Sequence, residues 1–302
     1  MGHNHSHEHE HSNDSIKNLK IAFFLNFSFT IFEIFGGLYT NSIAILSDAL
    51  HDFGDSLSLG LSILLEKKSK KAGNFRFSFG YQRFSLLGAL INSIILLIGS
   101  VLIISEAIPR ILSPEKSNAR GMLGFAIAGI LINGLAVLRL SSSHSINQRV
   151  AMWHLLEDVL GWIAVLIVSI VLLFKDIPIL DPVLSILITI YVLYNVLKNL
   201  KETLHIFLQG VPEEIDLENL EDELKKLDRI KSVHSLNLWS LDGVKHVFSV
   251  HLLVEKLEGI SDIILIKKQV KDLLLKSSIH HATIEIEFLD EACYMQEVKK
   301  KD

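Results

Sequence analysis

The chain of 302 residues has a single cysteine, Cys293. That scarcity excludes an intrachain disulfide and any thiolate-rich metal centre, so a bound metal has to be held by nitrogen and oxygen. A basic stripe interleaved with aromatics of the sort that nucleic-acid binding requires is also missing, and the formal net charge is a modest -5, so nucleic acid is set aside as a partner. No cleavable signal is evident, because the first apolar run follows a dozen polar and histidine-rich residues and is too long for a signal core. Charge is scarce over the first two thirds: 34 of the 63 charged residues fall in the last 102 positions. What the chain does have is apolar side chains, 49% of all residues, with a mean hydropathy of +0.39. This combination reads as a membrane part followed by a soluble part.

Apolar stretches long enough to cross a hydrocarbon core occur near 20–39, 43–65, 84–106, 120–139, 151–174 and 183–200. The predicted fold is therefore an α-helical membrane protein with six transmembrane helices, both termini on one side of the lipid bilayer. The link between the second and third spans carries Lys67, Lys68, Lys70, Lys71, Arg76 and Arg83, whereas the link at 39–42 has no basic residue. By the positive-inside rule the basic link and both termini are cytoplasmic, and in a bacterium the host is the inner membrane. Beyond residue 200 the pattern predicts a helix near 216–228, a strand over 232–241, an Asp242-Gly243 turn, a strand over 244–254, a helix near 261–277 and a strand over 282–289. That αββαβ order implies a small α+β, ferredoxin-like domain with its helices on one face of a sheet. The expected division is a histidine-rich cytoplasmic tail over 1–15, a transport domain over 16–200 and a cytoplasmic domain over 201–302.

Ionisable residues inside spans are expensive, roughly 2.5–3.5 kcal/mol for a central Asp, and here they are unevenly placed. The interiors of the third and fourth spans have no acidic residue or histidine. The second holds Asp48, His51, Asp52 and Asp55, and the fifth holds His154, Glu157 and Asp158. In both, a His precedes an Asp by four positions, His51 to Asp55 and His154 to Asp158, which puts the two side chains on one helix face. Two such faces packed together offer two imidazoles and two carboxylates, a set that suits tetrahedral zinc and is too rich in nitrogen for calcium or magnesium. In a soluble helix the same spacing is mostly a solvated face; inside a span, a cation or a water-filled path is the better explanation. Helical geometry leaves Asp52 and Glu157, which flank the same stripe, in play as ligands. Asp48 lies one turn before His51, placed to support its ring.

These segments resemble the cation diffusion facilitator family, and within it the zinc-transporting branch. The similarity is anchored at Asn26 and Glu33, at 42–55 (SIAILSDALHDFGD), at 79–83 (FGYQR), at 147–158 (NQRVAMWHLLED) and at 181–185 (DPVLS). The resemblance implies that His51, Asp55, His154 and Asp158 are the transport ligands, and that the chain is a homodimeric antiporter, not an enzyme, exchanging Zn2+ for protons by alternating access. The dimer is expected through the cytoplasmic domain and the membrane domain. Cd2+, Co2+, Fe2+ and Mn2+ are the alternative substrates, and His rather than Asp at the first ligand position is associated with zinc over cadmium. Some members carry a further metal site in the loop after the second span; residues 66–80 contain no histidine here, so none is expected.

The resemblance also implies that the cytoplasmic domain dimerises and senses metal. Geometry offers independent support, since a two-residue turn at Asp242-Gly243 opposes residues whose numbers sum to 485 and so places His234 across from His251. Glu285 and Glu287 project from one face of the last strand as further ligands, and the family match favours Glu287. Histidines and alternating glutamates are also common on bare sheet surfaces. At the start, His3, His5, His7, His9 and His11 form a short flexible tract of weak metal ligands. His280, His281 and Cys293 are read as structural or inert. An intramembrane metallohydrolase would need one metal position open to water, and a receptor with a passive anchor would need no ligands at mid-membrane.

Overall fold

The computed structural model describes residues 6–69, 71, 73–140, 146–255, 257, 259–277 and 279–289; within its helices and strands the side chains of 6–19, with His7, His9 and His11, and of further residues including His154 and His280 also lie outside the description. His3, His5 and Cys293 are outside the described residues altogether. Six long helices come first: α1 Ser6–Thr40, α2 Ile43–Ser69, α3 Phe84–Leu112, α4 Ala119–Leu140, α5 Ile146–Phe174 and α6 Leu180–Phe207. Five of them, all but α2, contain a stretch long and apolar enough to cross a membrane. α2 matches the others in length at 27 residues; its Asp48, His51, Asp52 and Asp55 are what dilute its hydropathy. α1 starts at Ser6, so His7, His9 and His11 belong to a helix rather than to the flexible tract expected from composition. Once an apolar span has nucleated a helix, extension through adjoining polar residues adds one hydrogen bond per residue fixed.

The chain forms two compact units, one of residues 1–67 and 88–200, the other of residues 68–87 and 201–302. In the first, small residues let helices approach closely, as membrane packing favours. Trp162 of α5 is fully buried, and a Cβ on Gly129 of α4 would lie 2.3 Å from its ring. α2 and α6 are tied by hydroxyls: Ser47 Oγ lies 2.6 Å from Ser185 Oγ and 3.1 Å from Thr189 Oγ1. The start of α2 is fixed from α6. Ser42 caps it by accepting from the Ile45 N–H at 3.2 Å, and Asp181, buried at the head of α6, accepts from the Ser42 hydroxyl and from the Ile43 N–H at 2.9 Å.

The second unit contains α7 (Leu217–Lys225), β1 (Ile230–Ser240), β2 (His246–Val254), α8 (Ile260–Lys276) and β3 (Ile279–Phe288), the αββαβ order expected. The sheet runs β1-β2-β3, with β1 antiparallel and β3 parallel to β2, α8 being the crossover. Leu220 and Leu224 of α7, and Ile266, Val270 and Leu274 of α8, recur at helical spacing and bury against Leu238, Phe248, Val250 and Leu252 of the strands.

The hairpin departs from expectation in an instructive way. Its loop is five residues, Leu241 to Lys245, closed by the Leu241 N–H donating to the Lys245 carbonyl at 2.8 Å. Asp242 Oδ1 accepts from the Val244 and Lys245 N–H groups, and Gly243 supplies the left-handed φ of 92°. With that loop the strands pair as Ser240 with His246 and Asn237 with Ser249, one residue off the expected register. A bulge between His234 and Asn237, where Ser235 takes φ 49°, moves the register back, and His234 faces His251 after all.

Candidate metal sites

In the membrane unit, α2 turns Asp48 and Asp52 inward to burial, with His51 and Asp55 half-buried alongside. His51 Nε2 lies 3.7 Å from Asp55 Oδ2, the contact that i, i+4 spacing dictates. α5 contributes Asp158, also buried. The two helices come close at Gly161, where a Cβ would sit 3.3 Å from Asp48 Oδ1. An open cavity of about 480 Å3 lies here, walled by Asp48, His51, Glu157, Asp158, Leu187 and Tyr191. His51 and Asp158 therefore share one space. Asp55 lies beside His51 through the contact just described, and the side chain of His154 is outside the description.

Of the alternatives left open by spacing, Glu157 is on the cavity wall, accepting from the Tyr191 hydroxyl at 3.3 Å, while Asp52 is buried behind it. The sequence reading placed no role on Glu33 beyond its family anchor. It is fully buried and, with Asp48, Asp52 and Asp158, makes one mutually interacting acidic cluster. Asn26 donates to the Asp52 carbonyl at 3.2 Å and to Ser56 Oγ at 3.1 Å, holding α1 to α2 beside it. At roughly 2.5–3.5 kcal/mol per acid, four such groups in one place call for compensation by bound cations or protons. Glu33 of α1 meets Asp52 across the boundary between two helices, and such a contact leaves no local spacing pattern, which is why Glu33 is not legible as part of the site.

In the second unit, His234 of β1, His251 of β2 and Glu287 of β3 converge. His234 Nε2 lies 2.9 Å from Glu287 Oε2 and His251 Nδ1 2.7 Å from Glu287 Oε1, so one buried carboxylate bridges two imidazoles. The rings are 5.5 Å apart between centroids. Glu285, opposite His251 in the ladder, remains exposed with Oε2 3.5 Å from His251 Nε2. One ligand atom from each of His234, His251 and Glu287 lies within 4.8 Å of the others. Zinc with ligands near 2.0–2.1 Å sets tetrahedral donors about 3.3 Å apart, a closure that side-chain rotation supplies, so this donor set fits the ion.

Comparison with known proteins agrees with this layout. Residues 19–208 match the model of the cation efflux transmembrane domain, and residues 212–288 match that of the cation efflux protein cytoplasmic domain. The chain is 33% identical to the cadmium, cobalt and zinc/H(+)-K(+) antiporter of Bacillus subtilis, over 95% of this chain and 92% of that one. It is 32% identical to the metal cation efflux system protein CzcD of Cupriavidus metallidurans, over 90% and 86%. With the zinc transporter ZitB of Escherichia coli it shares 30% identity over 95% and 92%. With acids and a histidine gathered between apolar helices, and both halves of the chain matched in order, this multi-pass membrane protein belongs to the cation efflux family.

Proposed function

We propose that the chain exports zinc from the cytoplasm in exchange for protons, binding the ion in the membrane through His51, Asp55, His154 and Asp158. The observation that carries this reading is that His51 of α2 and Asp158 of α5 face one cavity amid buried acids. The family assignment sets aside the hydrolase and the passive receptor, and the names of the relatives support zinc as substrate, cadmium and cobalt as alternatives and protons as counter-substrate.

The donor set itself supports coupling to protons. Zinc takes neutral imidazole and ionised carboxylate, so loading releases protons and acid opposes it. In the empty state protonated groups spare the membrane interior bare carboxylates. Alternating exposure then exchanges metal from one side for protons from the other. On this reading both termini are cytoplasmic, the three-residue site of the soluble unit senses metal there, and the protein works as a homodimer.

The test is flux into proteoliposomes containing this protein alone, loaded with a pH-sensitive dye and held at zero membrane potential. Zinc entry accompanied by counter-movement of protons is expected. Zinc entry with no proton signal and no response to an imposed pH gradient would mean a uniporter or channel.

A further inference from the structure

The FGYQR turn at 79–83 serves neither metal site, yet it helps enclose a cavity of about 360 Å3 within the second unit. Arg76, Phe79, Arg83, Gln209 and Trp239 contribute to the wall, and no carboxylate does. Two nitrogens of Arg83, Nε and Nη2, are sealed from solvent with no hydrogen-bond acceptor among the described residues. Burying a cation costs several kcal/mol unless it is paired and hydrogen-bonded. Two such donors on one half-buried guanidinium are best matched by an anionic acceptor.

Position narrows what that anion is. Arg83 directly precedes the apolar span that begins at Phe84, and Gln209 follows the one that ends at Phe207. Both therefore stand where a span leaves the hydrocarbon, the depth of phospholipid headgroups. From residue 67 to residue 83 the chain has six Lys and Arg and no acid. Phe75 there is fully exposed, and Phe77 and Phe79 are partly so. Basic side chains interleaved with exposed aromatics beside a span are the pattern that anionic lipid surfaces attract.

We propose that this cavity binds the phosphate of an anionic phospholipid from the leaflet that meets the 67–83 segment. The two orphaned N–H groups of Arg83 form a fork that matches two phosphate oxygens. Arg76 adds charge at the mouth, and the rings of Phe79 and Trp239 flank the less polar part of the headgroup. Because the wall is drawn from the segment before α3, the end of α6 and β1, an occupied cavity fastens these three together.

The test uses the full chain in an uncharged detergent, with native mass spectrometry after addition of phosphatidylglycerol, phosphatidylcholine or inorganic phosphate. Retention of phosphatidylglycerol over phosphatidylcholine is expected, weakened tenfold or more by Arg83→Gln. Lys71→Gln, at an exposed position of the same segment, should change it less than twofold. Arg83→Lys keeps the charge and loses the fork, so it should fall between wild type and Arg83→Gln, and it carries the test where Arg83→Gln does not fold. Equal retention of the two lipids, equal effects of Lys71→Gln and Arg83→Gln, or wild-type retention by Arg83→Lys would overturn the proposal. Displacement of the lipid by equimolar inorganic phosphate would overturn the lipid as occupant and leave a free phosphate anion.

Discussion

Replacing Glu287 by Gln tests the soluble site with little change of shape. A ligand that binds only the folded state stabilises it by RT ln(1 + [L]/Kd), about 2.7 kcal/mol at a hundred times Kd. For a domain the size of residues 212–288, each kcal/mol moves Tm by about 4–8 °C. Zinc at that concentration should therefore raise the transition of this unit by about 10–20 °C. Glu287 reaches both His234 and His251, so its loss leaves two imidazoles and removes the charge that balances the metal. If Kd rises about a hundredfold, the same zinc contributes about 0.4 kcal/mol, and the shift falls to roughly 2–3 °C. Without metal, the variant has lost a bridging acceptor but also a buried carboxylate, so its own stability changes little. Removing both histidines instead strands that buried carboxylate, at a cost of about 3–5 kcal/mol. The assay is thermal unfolding of the full chain in detergent across a zinc titration. A Glu287→Gln protein that gains as much from zinc as the wild type would refute the reasoning.

In the membrane unit, His51→Ala and Asp158→Ala should each abolish zinc flux while leaving the protein inserted and monodisperse; unchanged flux in either would remove that residue from the site. His51→Asp exchanges nitrogen for oxygen and should keep transport while moving its zinc-to-cadmium preference toward cadmium, measured by parallel flux assays. Asp181→Ala leaves the Ser42 hydroxyl and Ile43 N–H without their buried acceptor. At about 1–3 kcal/mol per orphaned group, it should lower thermal stability more than Asp181→Asn, which keeps one acceptor oxygen. Zinc protection of the second unit should fade as pH drops from about 7.5 to 5.5, because protons compete with the metal for its nitrogen and oxygen donors. Protection that is flat across that range would assign binding to the carboxylates alone.

Much of this was readable in the chain because helical period 3.6 and strand period 2 are local. His51 with Asp55, and the six long helices, follow from spacing alone. The approach of Asp158 to His51 needed the structure, since no spacing within one helix says that α5 comes close to α2 at Gly161 and Asp48. The pairing of His234 with His251 came out right through two compensating differences: the loop is longer than a two-residue turn, and the bulge at Ser235 takes up the extra residue. Glu33 and Asp181 are legible as family anchors but not in their roles, because each acts on another helix, Glu33 on the neighbouring α2 and Asp181 on the start of α2, 138 residues away. Sequence shows which residues are costly in a membrane, not which distant backbone groups they meet.

The cap on α2 also has a consequence for how the protein is made. Its acceptor, Asp181, is synthesised 138 residues after the Ile43 N–H that it binds. At roughly 5–20 residues per second, α2 waits about 7–28 s for it. During that interval the one long helix without a stretch apolar enough to span by itself has α1 as its earliest neighbour, joined by the short link at Asn41 and Ser42. Nascent chains that stop short of residue 181 should therefore lose α2 from the bilayer before any other helix, and release of the full chain is what locks it in.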